Sequence, residues 1–446
     1  MHINADVSLS MGIEFKQNEQ GKLSAFFNSL DQKAYDIPID TFSLNNSELK
    51  LTVKAIGSIY KGKLSNDNII EGFMKQGDNA SWKLDLKRVD KFPIAKAKRP
   101  QVPKKPYPYN EEDVSYSNPE ANITICGTLS KPKGTGKYPA VLLITGSGPN
   151  TRDEHIFGHK VFLVLSDYLT RQGFAVLRVD DRGVGKSTGV FSSASINDLA
   201  SDVRAGINYL KTRNDISQNK VGVIGHSLGC EIAMAAAAKT VNIDFVISMS
   251  GSGIPLSETI YDQCEAAYSQ MGASKEGVDL NRRILESVFM LIKSEKDNSK
   301  AKTKIAEGIA KYNDQVAKLS LKDKKILELR SPLKASSFYE FLSPAMRVDL
   351  FLDPKKDITR VECPVLAING SKDVQVIPTN LKIIEKCLKQ AKNKNFTIKE
   401  FEGKNHLFQT CQTGSIEEYT NIEETISPEV LKYISNWMKQ VTNKKL

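Results

Sequence analysis

The chain has 446 residues, room for two or three domains at roughly 150 residues each. Its 40% hydrophobic and 26% charged content is that of a folded globular protein and excludes a disordered or collagen-like chain. A net charge of +10, with acidic residues interleaved among the lysines, carries no nucleic-acid signature, and no apolar run reaches the ~18 residues of a membrane span; neither partner is expected.

Residues 1–91 read as a small all-β domain. Val7–Phe15, Lys22–Phe27, Leu49–Ile56, Ser58–Leu64, Ile69–Met74 and Ser81–Val89 show the alternation of half-buried antiparallel strands, expected to form a barrel-like or rolled sheet. This stretch holds no cluster of catalytic residue types. Two roles are open to it, a lid or recognition module, or a structural and dimerising addition. The segment Met1–Val7 lacks the basic start and apolar core of a signal peptide, so the chain as given is expected to be soluble. Residues 92–112 carry Pro93, Pro100, Pro103, Pro106 and Pro108 among lysines. Prolines at that density remove the donors a ladder needs, which predicts an extended linker.

Over residues 113–446 strands and helices alternate, the pattern of an α/β domain with a mostly parallel sheet covered on both faces. A strand pair is expected at Val114–Tyr116 and Ile123–Leu129, followed by strands at Ala140–Ile144, Phe174–Val179, Val221–Gly225, Phe245–Met249, Cys363–Gly370 and Phe396–Phe401. Helices are expected near His155–Gln172, Ile196–Thr212, Cys230–Lys239, Ile377–Gln390 and Pro428–Val441. Between about 252 and 349 the strands disappear and helices such as Asn281–Lys293 and Lys302–Val316 remain, which reads as a helical cap between the sixth and seventh sheet strands. A cap would shape a pocket and exclude water. Tyr261, Tyr268, Phe289, Phe338, Tyr339 and Phe341 are expected mainly as cap core. The six cysteines stand singly, with no C-x-x-C pair, so neither a zinc site nor a disulfide framework is indicated. Cys126, Cys230 and Cys363 lie in apolar patterns and read as buried thiols.

The most specific chemistry lies in Val221-Gly-Val-Ile-Gly-His-Ser-Leu-Gly229. A short strand runs into G-x-S-x-G and an alanine-rich helix follows at once, the strand–turn–helix context of a nucleophile elbow, with Ser227 as the nucleophile. The base must follow the serine in chain order. Of the five histidines, only His406 does so, in a loop after Phe396–Phe401. Asp373 is the preferred acid, in the short loop after the strand ending Asn369-Gly370; Asp357 and Glu402 are the alternatives. Backbone N–H groups of Leu228 and Ser147 are the expected oxyanion donors, the second in the glycine-rich loop after Ala140–Ile144. His226 is given a packing role. Gly183-Val-Gly-Lys-Ser-Thr188 imitates the end of a P-loop, but Asp180 stands where its first glycine belongs, so no nucleotide is expected.

The strings Ile144-Thr-Gly-Ser-Gly-Pro-Asn-Thr-Arg-Asp-Glu154 and Asp180-Asp-Arg-Gly-Val-Gly-Lys-Ser-Thr-Gly189, with the elbow, resemble bacterial two-domain carboxylesterases. These are α/β-hydrolases related to serine-aminopeptidase-like hydrolases, with a small β-rich N-terminal domain. The family's oxyanion loop usually begins His-Gly-Ser-Gly-Pro; here Thr145 replaces that histidine, which leaves the backbone donors in place and changes the bracing of the loop. The resemblance implies hydrolysis of a small-molecule ester with a short acyl chain through an acyl-enzyme, without metal or organic cofactor. It also leaves open export of a precursor and assembly into a homo-oligomer. Peptidase or amidase, thioesterase or acyltransferase, and a catalytically silent binding module are the competing readings.

Overall fold

A computed structural model describes residues 2–4, 7–17, 21, 23–30, 34–77, 80–90, 97–329 and 331–443. The chain divides into two compact units. The first spans residues 1–98 with two short additions, 156–159 and 419–423; the second holds Arg99–His155, Lys160–Glu418 and Glu424–Leu446.

The first unit is all β. Met11–Gln17, Leu23–Ser29 and Ala34–Pro38 form a three-stranded antiparallel sheet. Thr41–Asn45, Glu48–Val53, Ser58–Asn66, Ile69–Gln76, Ala80–Lys83 and Leu86–Lys87 form a second antiparallel sheet. Both contribute to one apolar core, through Ala25 and Phe27 from the first and Leu49, Leu51, Val53, Tyr60 and Met74 from the second. The arrangement is therefore two sheets over a shared core, where a barrel-like or rolled sheet was expected. Of the expected segments, Val7–Phe15 holds the strands Val7–Ser8 and Met11–Gln17, while Lys22–Phe27 begins on a residue outside the described set.

Pro93 also lies outside the described residues, while 97–109 is irregular. The end of the expected linker is strand: β1 (Asn110–Asn118) pairs along its whole length with β2 (Ile123–Lys131), Asn110 opposite Lys131 and Glu112 opposite Leu129. A hairpin partner of equal length extends the ladder past the prolines.

The second unit continues with β3 (Tyr138–Ile144), α1 (Val161–Arg171), β4 (Ala175–Val179), α2 (Ile196–Thr212), β5 (Ile216–His226), α3 (Leu228–Ala237) and β6 (Val246–Met249). After a helical insertion come β7 (Val365–Gly370), α7 (Asn380–Gln390), β8 (Phe396–Phe401) and α8 (Pro428–Asn443), the insertion itself supplying α4 (Leu256–Gln270), α5 (Lys275–Ser294) and α6 (Asn298–Ala310). The sheet order is β1-β2-β4-β3-β5-β6-β7-β8, antiparallel only through β2. Leu142 of β3 lies between Leu177 of β4 and Val223 of β5, and Ile224 pairs with Ile247 of β6. These strands are continuous runs of Val, Ile, Leu and Ala because both faces are buried.

Local signals set the helix ends. Ser195 and Asp198 form a reciprocal capping box at the start of α2. Helix α1 begins at Val161, later than the expected His155, since His155–Ile156 and His159–Lys160 are short strands joined by a turn. The helical insertion between β6 and β7 has its own core, built from Leu280, Ile284, Val288 and Phe289 of α5, Ile305 of α6, and Leu350. Tyr261 stacks on Phe289 at 5.5 Å, and Phe341 meets it edge-on at 5.0 Å, so these aromatics belong to the core of the insertion. All six cysteines are free thiols; Cys230 is buried, while Cys126 and Cys363 are half-buried rather than fully enclosed. No helix among the described residues is long and apolar enough to cross a membrane.

Candidate active site

A parallel sheet delivers its loops to one edge, and six loops meet at the carboxyl ends of these strands. At the end of β5 the backbone turns so sharply that Ser227 takes φ 54° and ψ −125°, a conformation that L-residues avoid. The turn closes only with glycines on either side. A Cβ on Gly225 would lie 2.2 Å from the Gly229 oxygen, and one on Gly229 would lie 2.2 Å from the Ile144 oxygen. The Ser227 N–H donates to the Met249 carbonyl at 2.9 Å, which ties the elbow to β6. Ser227 is half-buried at the start of α3.

The loops after β7 and β8 are stitched together. Ser371 N–H donates to Phe401 O and Lys372 N–H to Lys404 O, both at 2.9 Å. The result brings two expected residues into contact: His406 Nδ1–H donates to Asp373 Oδ2 at 2.8 Å. The other carboxylate oxygen, Oδ1, accepts the N–H groups of Gln375 and Val376 at 2.8 and 2.9 Å, so the acid cannot rotate. Both partners are buried. The His406 ring lies against that of His226, centroids 4.9 Å apart, which places it beside the elbow. Neither Asp357 nor Glu402 pairs with His406 among the described residues.

Leu228 opens α3, and its N–H belongs to the first helical turn, whose donors have no intrahelical acceptor. Ser147 follows Gly146, where a Cβ would sit 3.3 Å from Cβ of Ser227, so the loop after β3 runs beside Ser227. Thr145, the residue that departs from the family pattern, braces this loop by donating its hydroxyl to Asp181 at 2.8 Å. Asp181 also accepts the Asn150 N–H at 2.8 Å, and the Asn150 side chain donates to the carbonyls of Ser147 and Gly148 at 3.2 and 3.0 Å. Burial pushes the Asp181 carboxyl up to about 7, against these hydrogen bonds, which pull it down.

The P-loop imitation has no helix after it: Ser187 donates to Asp180 O, and Asp180 is held by the Arg152 guanidinium at 2.7 Å. Arg182 pairs with Asp202 of α2 at 2.7 Å. Both charges brace loops. Among the described residues no group of three or more His, Cys, Asp or Glu side chains is arranged to hold a metal ion.

Sequence reasoning missed the roles of Glu154 and His226. Both are fully buried, and His226 Nδ1 lies 2.9 Å from Glu154 Oε1. The pair is 72 residues apart in the chain, and no spacing rule links it.

A strained serine at a strand–helix elbow, with a buried Asp–His pair on the following loops, defines a serine hydrolase of the α/β-hydrolase fold. The model of the family described as serine aminopeptidase, S33, matches residues 159–410, more than half of the chain, and the chain belongs to that family. It is 26% identical over 333 residues to the esterase EstD of Thermotoga maritima, covering 75% of this chain and 68% of that protein. Similar solved structures include an esterase of Pyrococcus furiosus, at 17% identity and a TM-score of 0.45 over 78% of this chain and 98% of that one. A puromycin-hydrolyzing peptidase of Mycobacterium tuberculosis is 13% identical, with a TM-score of 0.46 over 97% of this chain and 54% of its own.

Proposed function

We propose that this chain is a carboxylesterase acting on small esters through a Ser227–His406–Asp373 triad. His406 Nε2 takes the Ser227 Oγ proton as Oγ attacks the ester carbonyl, and the resulting oxyanion is held by the N–H groups of Leu228 and Ser147. Collapse breaks the carbon–oxygen bond to the alcohol, which leaves with the proton from His406. Water then attacks the acyl carbonyl as it loses a proton to His406, and the second collapse breaks the bond to Ser227 Oγ, which takes that proton back as the acid leaves. Asp373 holds the imidazole with Nδ1 protonated, so that Nε2 is free to accept. The helical cap at about 252–349 shapes the acyl or alcohol pocket. The observation that carries this reading is the 2.8 Å bond between His406 and the locked Asp373, with the imidazole against the elbow.

An aminopeptidase would need a free carboxylate for the substrate's α-ammonium group. Glu154 is buried beneath the oxyanion loop, and Asp153 is taken by Arg178 and Lys160. Those contacts, and the likeness to an esterase, favour esters over amino-terminal peptides. The test compares p-nitrophenyl acetate and butyrate with aminoacyl p-nitroanilides, for wild type and Ser227→Ala. Ester turnover that disappears with Ser227→Ala supports the proposal. Anilide turnover exceeding ester turnover, or equal ester rates in the two proteins, overturns it.

A further inference from the structure

Glu154 Oε1 does two things at once. It accepts the Gly146 N–H at 2.9 Å, and it lies 2.9 Å from His226 Nδ1. The far side of the same imidazole, Nε2, meets the backbone carbonyl of His406 at 3.1 Å. A carbonyl only accepts, so Nε2 carries a hydrogen, and the Nδ1–Oε1 contact needs a second one. The Glu154–His226 pair therefore holds one proton more than a carboxylate beside a neutral imidazole. Burial opposes the imidazolium, but the Glu154 carboxylate, the His406 carbonyl and the Asp373 charge together outweigh it and raise the His226 pKa above its ordinary value.

This unit is costly in two ways. Glu154 has φ 46°, in the left-handed region, and its second oxygen, Oε2, is buried without a hydrogen-bond partner among the described residues. Strain and an orphaned carboxylate oxygen at one residue are uncommon where only packing is served. What the pair joins is informative. One end grips the loop after β3 at the residue preceding Ser147, and the other grips the loop after β8 at His406 itself.

We propose that Glu154 and His226 are positioning residues: through their shared proton they set the distance between the oxyanion donor on the Ser147 loop and the base on the His406 loop. Neither touches substrate. The proposal rests on the triad reading given above.

Three variants test it. Glu154→Ala removes the acceptor for Gly146. Glu154→Gln keeps size and one acceptor but supplies one proton fewer, so both ring nitrogens can no longer donate. His226→Gln removes the link to His406. Steady-state ester kinetics, thermal melting and the inhibition constant of a trifluoromethyl ketone, whose serine adduct carries an oxyanion, are measured for each. A misplacement of about an ångström costs up to about 100-fold. Glu154→Ala should therefore lower kcat about 10- to 100-fold with KM within about twofold, and weaken the ketone by the same factor as kcat/KM. Glu154→Gln should fall between it and wild type. A role in folding alone would lower the melting temperature while kcat per folded molecule and ketone affinity stayed put, and that result overturns the proposal. So does a fall in kcat without a matching loss of ketone affinity. If the alanine variant does not fold, the near-isosteric glutamine variant decides by the same criteria. Turnover surviving in Ser227→Ala would instead refute the triad reading.

Discussion

Replacing Asp373 with asparagine should disable the enzyme through a single misplaced proton. Oδ1 of Asp373 is held by two backbone donors, the N–H groups of Gln375 and Val376. An asparagine at that position must turn its carbonyl oxygen toward them, because an amide NH2 would face two other donors. Its NH2 then occupies the place of Oδ2, 2.8 Å from Nδ1 of His406, and donates to it. Nδ1 becomes an acceptor, the hydrogen moves to Nε2, and the atom meant to take the Ser227 proton is already protonated. In other serine hydrolases this wrong-tautomer substitution costs about 10⁴-fold in kcat. At about 1.4 kcal/mol per decade, that is about 5 kcal/mol of lost transition-state stabilisation. The assay is p-nitrophenyl butyrate hydrolysis at pH 7–8 with protein checked for a native melting transition. KM should change little, since the amide fills the same space. An Asp373→Asn enzyme within about tenfold of wild-type kcat would refute the tautomer argument.

Two further outcomes follow from the loops around the elbow. Gly229→Ala puts a methyl group 2.2 Å from the Ile144 oxygen and 2.6 Å from the Thr145 oxygen, both immobile backbone. It should cost at least about 1–3 kcal/mol by chemical denaturation, and a neutral result would mean the elbow is looser than described. Asp181, raised to about 7 by burial, favours the neutral acid in the folded state. Its contribution to stability is full below its ordinary value of 3.8 and is lost as pH rises through about 7. The melting temperature of Asp181→Asn relative to wild type should therefore climb from pH 4 to about 7 and then level off. A flat difference across that range would contradict the assignment.

Much of the site was legible because its signals are local or ordered along the chain. Gly225 and Gly229 announce the elbow, and a lone histidine after Ser227 leaves one candidate base. Asp373 stood out because it directly follows a buried strand, while most other acidic residues lie in lysine-rich helical sequence. The hidden parts depend on long-range contacts. The pairing of Glu154 with His226 is hidden in sequence because it is created by the sheet order, which sets β3 beside β5. The bracing of Thr145 by Asp181 required knowing that β4 also flanks β3. In the first unit, Ala34–Pro38 and Thr41–Asn45 escaped notice as strands. Asp36 has φ 56° and Pro38 offers no donor, so the first lacks a regular alternation, and the second is short and mostly exposed.

The central claim is that Ser227 is activated by His406. It is tested most directly by the rate at which a fluorophosphonate labels wild type and His406→Ala, with the adduct located by peptide mapping. The account predicts one adduct, on Ser227, formed at least about 100-fold more slowly in the histidine variant. Labelling at another residue, or equal rates in the two proteins, would contradict it.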